Sequence, residues 1–91
     1  MRARVFGTLR SLVGGKELDV AVCAGQTVRD VLAALAAEYP TLGERVRDDA
    51  GEVQKSVHVL VNGRSVKFLD GLDTAVRESD LMALFPAIGG G

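Results

Sequence analysis

Between Thr27 and Pro40 the chain repeats apolar residues at helical spacing: Val28, Val31, Leu32, Leu35 and Tyr39. Ala33, Ala34, Ala36 and Ala37 fill other positions with strong helix formers. Thr27 stands at the N-cap, its hydroxyl available to an orphan N–H. Asp30 puts a negative charge in the first turn, where the helix dipole favours it. Pro40 stops the helix, because the residue before a proline is pushed out of the helical region. Only this stretch keeps the period so long, so the fold needs one surface to cover one apolar stripe. Short strands supply that surface.

From Met1 to about Leu9 the residues alternate, with Ala3, Val5 and Gly7 on one side and Arg2, Arg4, Phe6 and Thr8 on the other. That is the period of a half-buried strand, and it leaves Phe6 among arginines. Leu9 to Val13 fits one helical turn and Gly14-Gly15 a bend. Leu18, Val20 and Val22 then alternate with Glu17, Asp19 and Ala21, giving a second strand in a hairpin with the first. Beyond Pro40 the pattern weakens: Leu42 and Val46 anchor a short turn, and Asp48 to Gly51 reads as a loop. Val57 to Val61 is strand-like, Asn62-Gly63 is a two-residue hairpin turn, and Ser65 to Phe68 returns as a strand. Leu72 to Val76 reads as a short helical turn and Glu78-Ser79-Asp80 as a bend. Leu81 to Phe85 is the last strand. Two strand pairs flanking one helix give an α+β arrangement, a helix across one face of a mixed sheet.

The chain then runs through Pro86, Ala87 and Ile88 into Gly89-Gly90-Gly91. Pro86 cannot donate to a ladder, so it marks where the strand stops and a thread starts. Ordering three residues without side chains would cost about 1–2 kcal/mol each in backbone entropy, with nothing to bury in return. As written, Gly91 carries the free α-carboxylate. A slim carboxylate on glycines suits insertion into another protein's narrow active site; a frayed terminus or expression scar fits the tail alone equally well.

Taken together, Leu84-Phe85-Pro86-Ala87-Ile88-Gly89-Gly90, Phe6-Gly7-Thr8-Leu9-Arg10, the Val61-Asn62-Gly63 turn and the Glu78-Ser79-Asp80 bend resemble the MoaD/ThiS family. These are prokaryotic sulfur carriers of the ubiquitin-like β-grasp type, and they include the small subunit of molybdopterin synthase. The resemblance covers essentially the whole chain, and the tail is close to the family's ending of Phe-Pro-Pro-Val-x-Gly-Gly. Phe68 to Val76 is further similar to the carrier that delivers sulfur for cysteine biosynthesis in actinobacteria. The resemblance implies a β-grasp domain over 1–86, with a mixed sheet of four to five strands and one main helix, and a flexible glycine tail over 87–91.

It also implies that the protein is not an enzyme but a co-substrate with no bound cofactor. An E1-like enzyme would use ATP to adenylate the C-terminal glycine and replace AMP by sulfur, and a sulfur-accepting synthase would consume the thiocarboxylate. Gly90 and Gly91 are both candidate acceptors, because the family ends in two glycines and this chain in three. Gly89, Ile88, Ala87 and Pro86 form the tail behind them. Phe6, Leu60 and Phe85 are expected together on the sheet face away from the helix as a docking patch, rimmed by Arg2, Arg4 and Arg10. Of the sulfur's destinations, the similarity near Gly71 leans toward cysteine, with molybdopterin next. A ubiquitin-like modifier joined to lysines shares the activation step, and a β-grasp binding module with inert glycines is the reading from another class.

The remaining residues narrow the field. A formal net charge of −1 with mixed signs argues against a nucleic-acid stripe or a polybasic membrane patch, and no apolar run is long enough to span a bilayer. Ninety-one residues make one domain, expected to be cytoplasmic and monomeric when free. Cys23, alone and without a histidine partner, reads as a small packing residue. His58, the one histidine, reads as a solvent-facing strand residue rather than a metal ligand, since metal sites need several ligands. Asp48-Asp49 reads as a solvated loop pair. No metal site and no nucleophile–base set is expected.

Overall fold

Alternation and helical period meet on one layer of side chains. The computed structural model describes residues 1–86. β1 (Arg2–Val5), β2 (Glu17–Asp19), β3 (Val57–Val61), β4 (Arg64–Ser65) and β5 (Leu81–Pro86) form one sheet in the order β2-β1-β5-β3-β4. β5 lies in the middle, parallel to β1 and antiparallel to β3. The register sets Ala3 beside Met82, and Leu84 between Val5 and Val59. All five are buried on one face. Against that face α1 (Val28–Glu38) lays Val28, Val31, Leu32 and Leu35, and α2 (Pro40–Val46) adds Leu42 and Val46. Each such buried aliphatic side chain contributes about 1.5–3 kcal/mol over leaving it in water. The fold is the ubiquitin-like β-grasp, α+β with a mixed five-stranded sheet.

Local chemistry explains the boundaries. Asp30 Oδ2 accepts the Thr27 N–H at 2.9 Å and its hydroxyl at 3.2 Å, which fixes the start of α1. Pro40 is both stop and start: it ends α1 and sits in the first turn of α2, where its missing N–H would have had no partner. Asn62 (φ 51°) and Gly63 (φ 85°) make the two-residue turn between β3 and β4.

Elsewhere the structure departs from the sequence expectation. β1 ends at Val5 rather than Leu9, because Gly7 at φ +59° turns the chain into a 3-10 helix over Gly7–Leu12 that drives Leu9 into the core. β2 stops at Asp19 rather than Val22; Val20 still bonds back to the Met1 carbonyl at 2.8 Å, but the Val22 N–H goes to Glu78 Oε2 at 3.1 Å. The strand expected over Ser65–Phe68 pairs only at Arg64 and Ser65. Ser65 Oγ then accepts the Lys67 N–H at 3.3 Å, and a 3-10 turn over Val66–Phe68 buries Val66 and leaves Phe68 85% exposed. The helical turn expected over Leu72–Val76 winds only at Gly71–Asp73, closed by the Thr74 hydroxyl on the Gly71 carbonyl at 2.7 Å. Pro86 does not lie past the strand; it is the last paired residue, opposite Val57. Cys23 is exposed in the loop before α1 rather than packed.

Candidate functional site

The outer face of the sheet, away from both helices, gathers the residues that alternation points outward. Phe6 follows β1, and Leu81, Ala83 and Phe85 come from β5, while β3 brings His58 and Leu60. Because β1 and β5 run parallel with Val5 beside Leu84, the next residues, Phe6 and Phe85, are neighbours. Their rings stack with centroids 4.1 Å apart and planes 9° from parallel, and the Phe6 N–H donates to the Leu84 carbonyl at 3.1 Å. On the other side Phe85 stands opposite His58, and Leu60 opposite Ala83. His58, Leu60, Phe85 and Pro86 surround a shallow hollow of about 380 Å³. The structure thus brings Phe6, Leu60 and Phe85 onto one face, half-buried and in a row across three strands.

The expected basic rim divides. Arg10 belongs to the aromatic stack: its guanidinium carbon lies 5.5 Å from the Phe6 ring centre, and Nε donates to the Val5 carbonyl at 2.9 Å. Arg2 and Arg4 instead turn toward β2, where Glu17 Oε2 lies 3.6 and 3.4 Å from their Nε atoms. Such exposed pairs are worth about 0–1 kcal/mol, so they leave both arginines adaptable.

Pro86 ends β5 at the edge of this face, and it does so against Gly7. A Cβ on Gly7 would fall 2.8 Å from Pro86 Cγ, so only glycine lets the first 3-10 turn pass under the end of β5. Ala87, Ile88, Gly89, Gly90 and Gly91, the tail and its two candidate acceptors, lie outside the described residues. Five residues span at most about 17 Å when extended, which bounds how far Gly91 reaches from Pro86. Among the described residues no group of three or more His, Cys, Asp or Glu is placed to hold a metal ion, and no helix is long and apolar enough to cross a membrane.

Three features of the face escape a reading of the residues one stretch at a time. His58 is exposed, as expected, but its place beside Phe85 depends on the register of β3 on β5. Gly7 matters for its contact with Pro86, distant in sequence. Lys16 joins Arg4, Val5, Phe6, Arg10 and Glu17 around a second hollow next to the stack, which no local pattern announces.

Residues 3–91 match the model of the ThiS family. The chain belongs to that family. Two curated relatives of this ThiS-family protein match it nearly end to end. Small archaeal modifier protein 3 of Haloferax volcanii is 44% identical over 91 residues, covering 100% of this chain and 98% of the relative. The sulfur carrier protein CysO of Mycobacterium tuberculosis is 34% identical over 85 residues, 91% of this chain and 89% of the relative. Among solved structures, SAMP1 from Haloferax volcanii superposes with a TM-score of 0.86 at 35% identity, covering 100% of this chain and 98% of that one. A chain of the Amycolatopsis orientalis BexX/CysO complex gives a TM-score of 0.82 at 25% identity, covering 99% and 98%. The ThiS-family relatives bear the names of small carriers and modifiers.

Proposed function

We propose that this protein is a sulfur carrier whose C-terminal glycine is activated by an E1-like enzyme and becomes a thiocarboxylate. The observation that carries the reading is the position of the Phe6–Phe85 stack beside Pro86, within five residues of the terminal glycines. A partner that grips the outer face thereby holds the glycines within about 17 Å of Pro86 at its edge, and converts an encounter between two proteins into a local reaction. Glycines without Cβ atoms let the carboxylate approach ATP. One carboxylate oxygen attacks the α-phosphorus and expels pyrophosphate. Hydrosulfide then attacks the acyl carbon of the mixed anhydride, AMP leaves, and a thiocarboxylate and a proton remain. ATP is the activating enzyme's co-substrate, and the carrier itself binds no cofactor. A synthase takes the sulfur; the 34% identity to a CysO carrier supports the cysteine branch, with molybdopterin synthesis next.

A second reading rests on the 44% identity to a small archaeal modifier protein: the same activated glycine is passed to lysine amines of other proteins. One experiment separates the two. Incubation with the E1-like protein of the source organism, ATP and sulfide is expected to add about 16 Da, one oxygen exchanged for sulfur. With cell extract added, lysine-linked adducts of higher mass, with no gain on the free protein, support the modifier. No change of either kind overturns both. Deleting Gly91 alone shows whether Gly90 suffices as the acceptor.

A further inference from the structure

We infer that the hollow between Arg10 and Lys16 receives a carboxylate side chain of the activating protein, giving the docking face an electrostatic half; this rests on the activation proposed above. The hollow measures about 350 Å³, and Val5 holds two of its three cationic residues, Arg10 and Lys16, in one frame. The Val5 N–H donates to the Lys16 carbonyl at 2.8 Å, and the Val5 carbonyl accepts Arg10 Nε at 2.9 Å. With Nε so engaged and the guanidinium held over Phe6, the terminal nitrogens of Arg10 are left as a pre-set fork for a carboxylate. Arg4 shares Glu17 with Arg2, whereas neither Arg10 nor Lys16 has an acidic partner among the described residues. The lining thus carries three cations against one carboxylate, in a chain whose formal net charge is −1.

Continuity with the aromatic stack turns this charge into a requirement on the partner. Phe6 both lines the hollow and stacks on Phe85, so a protein that covers the stack also takes water from Arg10. An uncompensated guanidinium at a covered interface is strongly unfavourable. A partner that presents Asp or Glu there removes the penalty and is steered to the face as it approaches.

The test is biolayer interferometry of the full-length carrier against the E1-like protein of the source organism. Lys16 serves the fold through its carbonyl, so Lys16→Glu changes the charge and keeps that bond. At about 50 mM sodium chloride, Lys16→Glu is expected to lower the association rate about tenfold, and at about 500 mM the difference closes. Lys67→Glu makes the same charge change beyond β4, at the opposite edge of the sheet, and is expected to leave the rate alone. Arg10→Gln is expected to speed dissociation. Lys16→Glu behaving as Lys67→Glu, while Phe85→Ala still weakens binding, overturns this inference and spares the function. A wild-type carrier that neither binds nor gains sulfur overturns both.

Discussion

Phe85 lies half-buried with its ring on Phe6, so one side chain both stabilises the end of β5 and fronts the face proposed to dock the activating enzyme. Phe85→Ala is expected to leave the protein folded but to weaken binding to the activating enzyme roughly 30-fold, about 2 kcal/mol, as for a central aromatic anchor. Titration calorimetry reads it; an affinity within twofold of wild type would remove Phe85 from the interface. Glu78 does a different job. Its Oε1 lies 2.8 Å from the Met1 ammonium and its Oε2 accepts the Val22 N–H, tying the segment after β2 and the residue before β1 to the turn before β5. The hydrogen bond to the ammonium, then that from Val22, then the ammonium's charge, hold the Glu78 carboxyl below its ordinary range. A carboxyl lowered in the folded state adds stability above its unfolded pKa and loses it as pH falls through the folded value. Glu78→Gln is therefore expected to lower the urea midpoint at neutral pH, with the gap closing in strong acid. A gap that stays constant with pH contradicts this origin.

Among elements, the contact of α1 with α2 turns on one missing methyl. A Cβ on Gly43 would stand 2.5 Å from Ala36 Cβ and 2.9 Å from its Cα. Gly43→Ala gains about 1 kcal/mol of helix propensity, but forcing backbone apart in a packed contact costs about 1–3 kcal/mol. Because the clash reaches the backbone of α1, the cost wins. Denaturant melts are expected to show a loss of about 1 kcal/mol or more, and a stabilised variant would mean that the helices are free to separate. α1 itself was plain in the sequence because capping, period and stop agree over Thr27 to Pro40. The outward phase of Phe6 and Leu60 was legible for the same reason, since alternation is local. What misled were residues whose partners are distant or whose turn chemistry competes with propensity. Val66 and Phe68 favour strands, yet the Ser65 hydroxyl captures the Lys67 N–H and winds them into a turn. Gly7 and Lys16 belong to the site only once β1 meets β5 and β2, a pairing no single stretch displays.

Across the whole molecule, the central strand joins the two ends of the chain: β5 carries Met82 and Leu84 into the core and holds β1 and β3 together. Truncating one buried Leu or Met to Ala costs about 2–5 kcal/mol, and an entire domain has about 5–15 kcal/mol to lose. A chain ended at Asp80 gives up both residues and two ladders, and is expected to be unfolded by circular dichroism. A native-like spectrum from that fragment would show that β1 and β3 hold together without it. Contacts between such remote segments form late and slowly. The body therefore closes only when the strand that leads to the glycines has taken its place between β1 and β3. One segment thus both finishes the sheet and leads to the tail, so a chain cut ahead of it is expected to lose the fold and the glycines together.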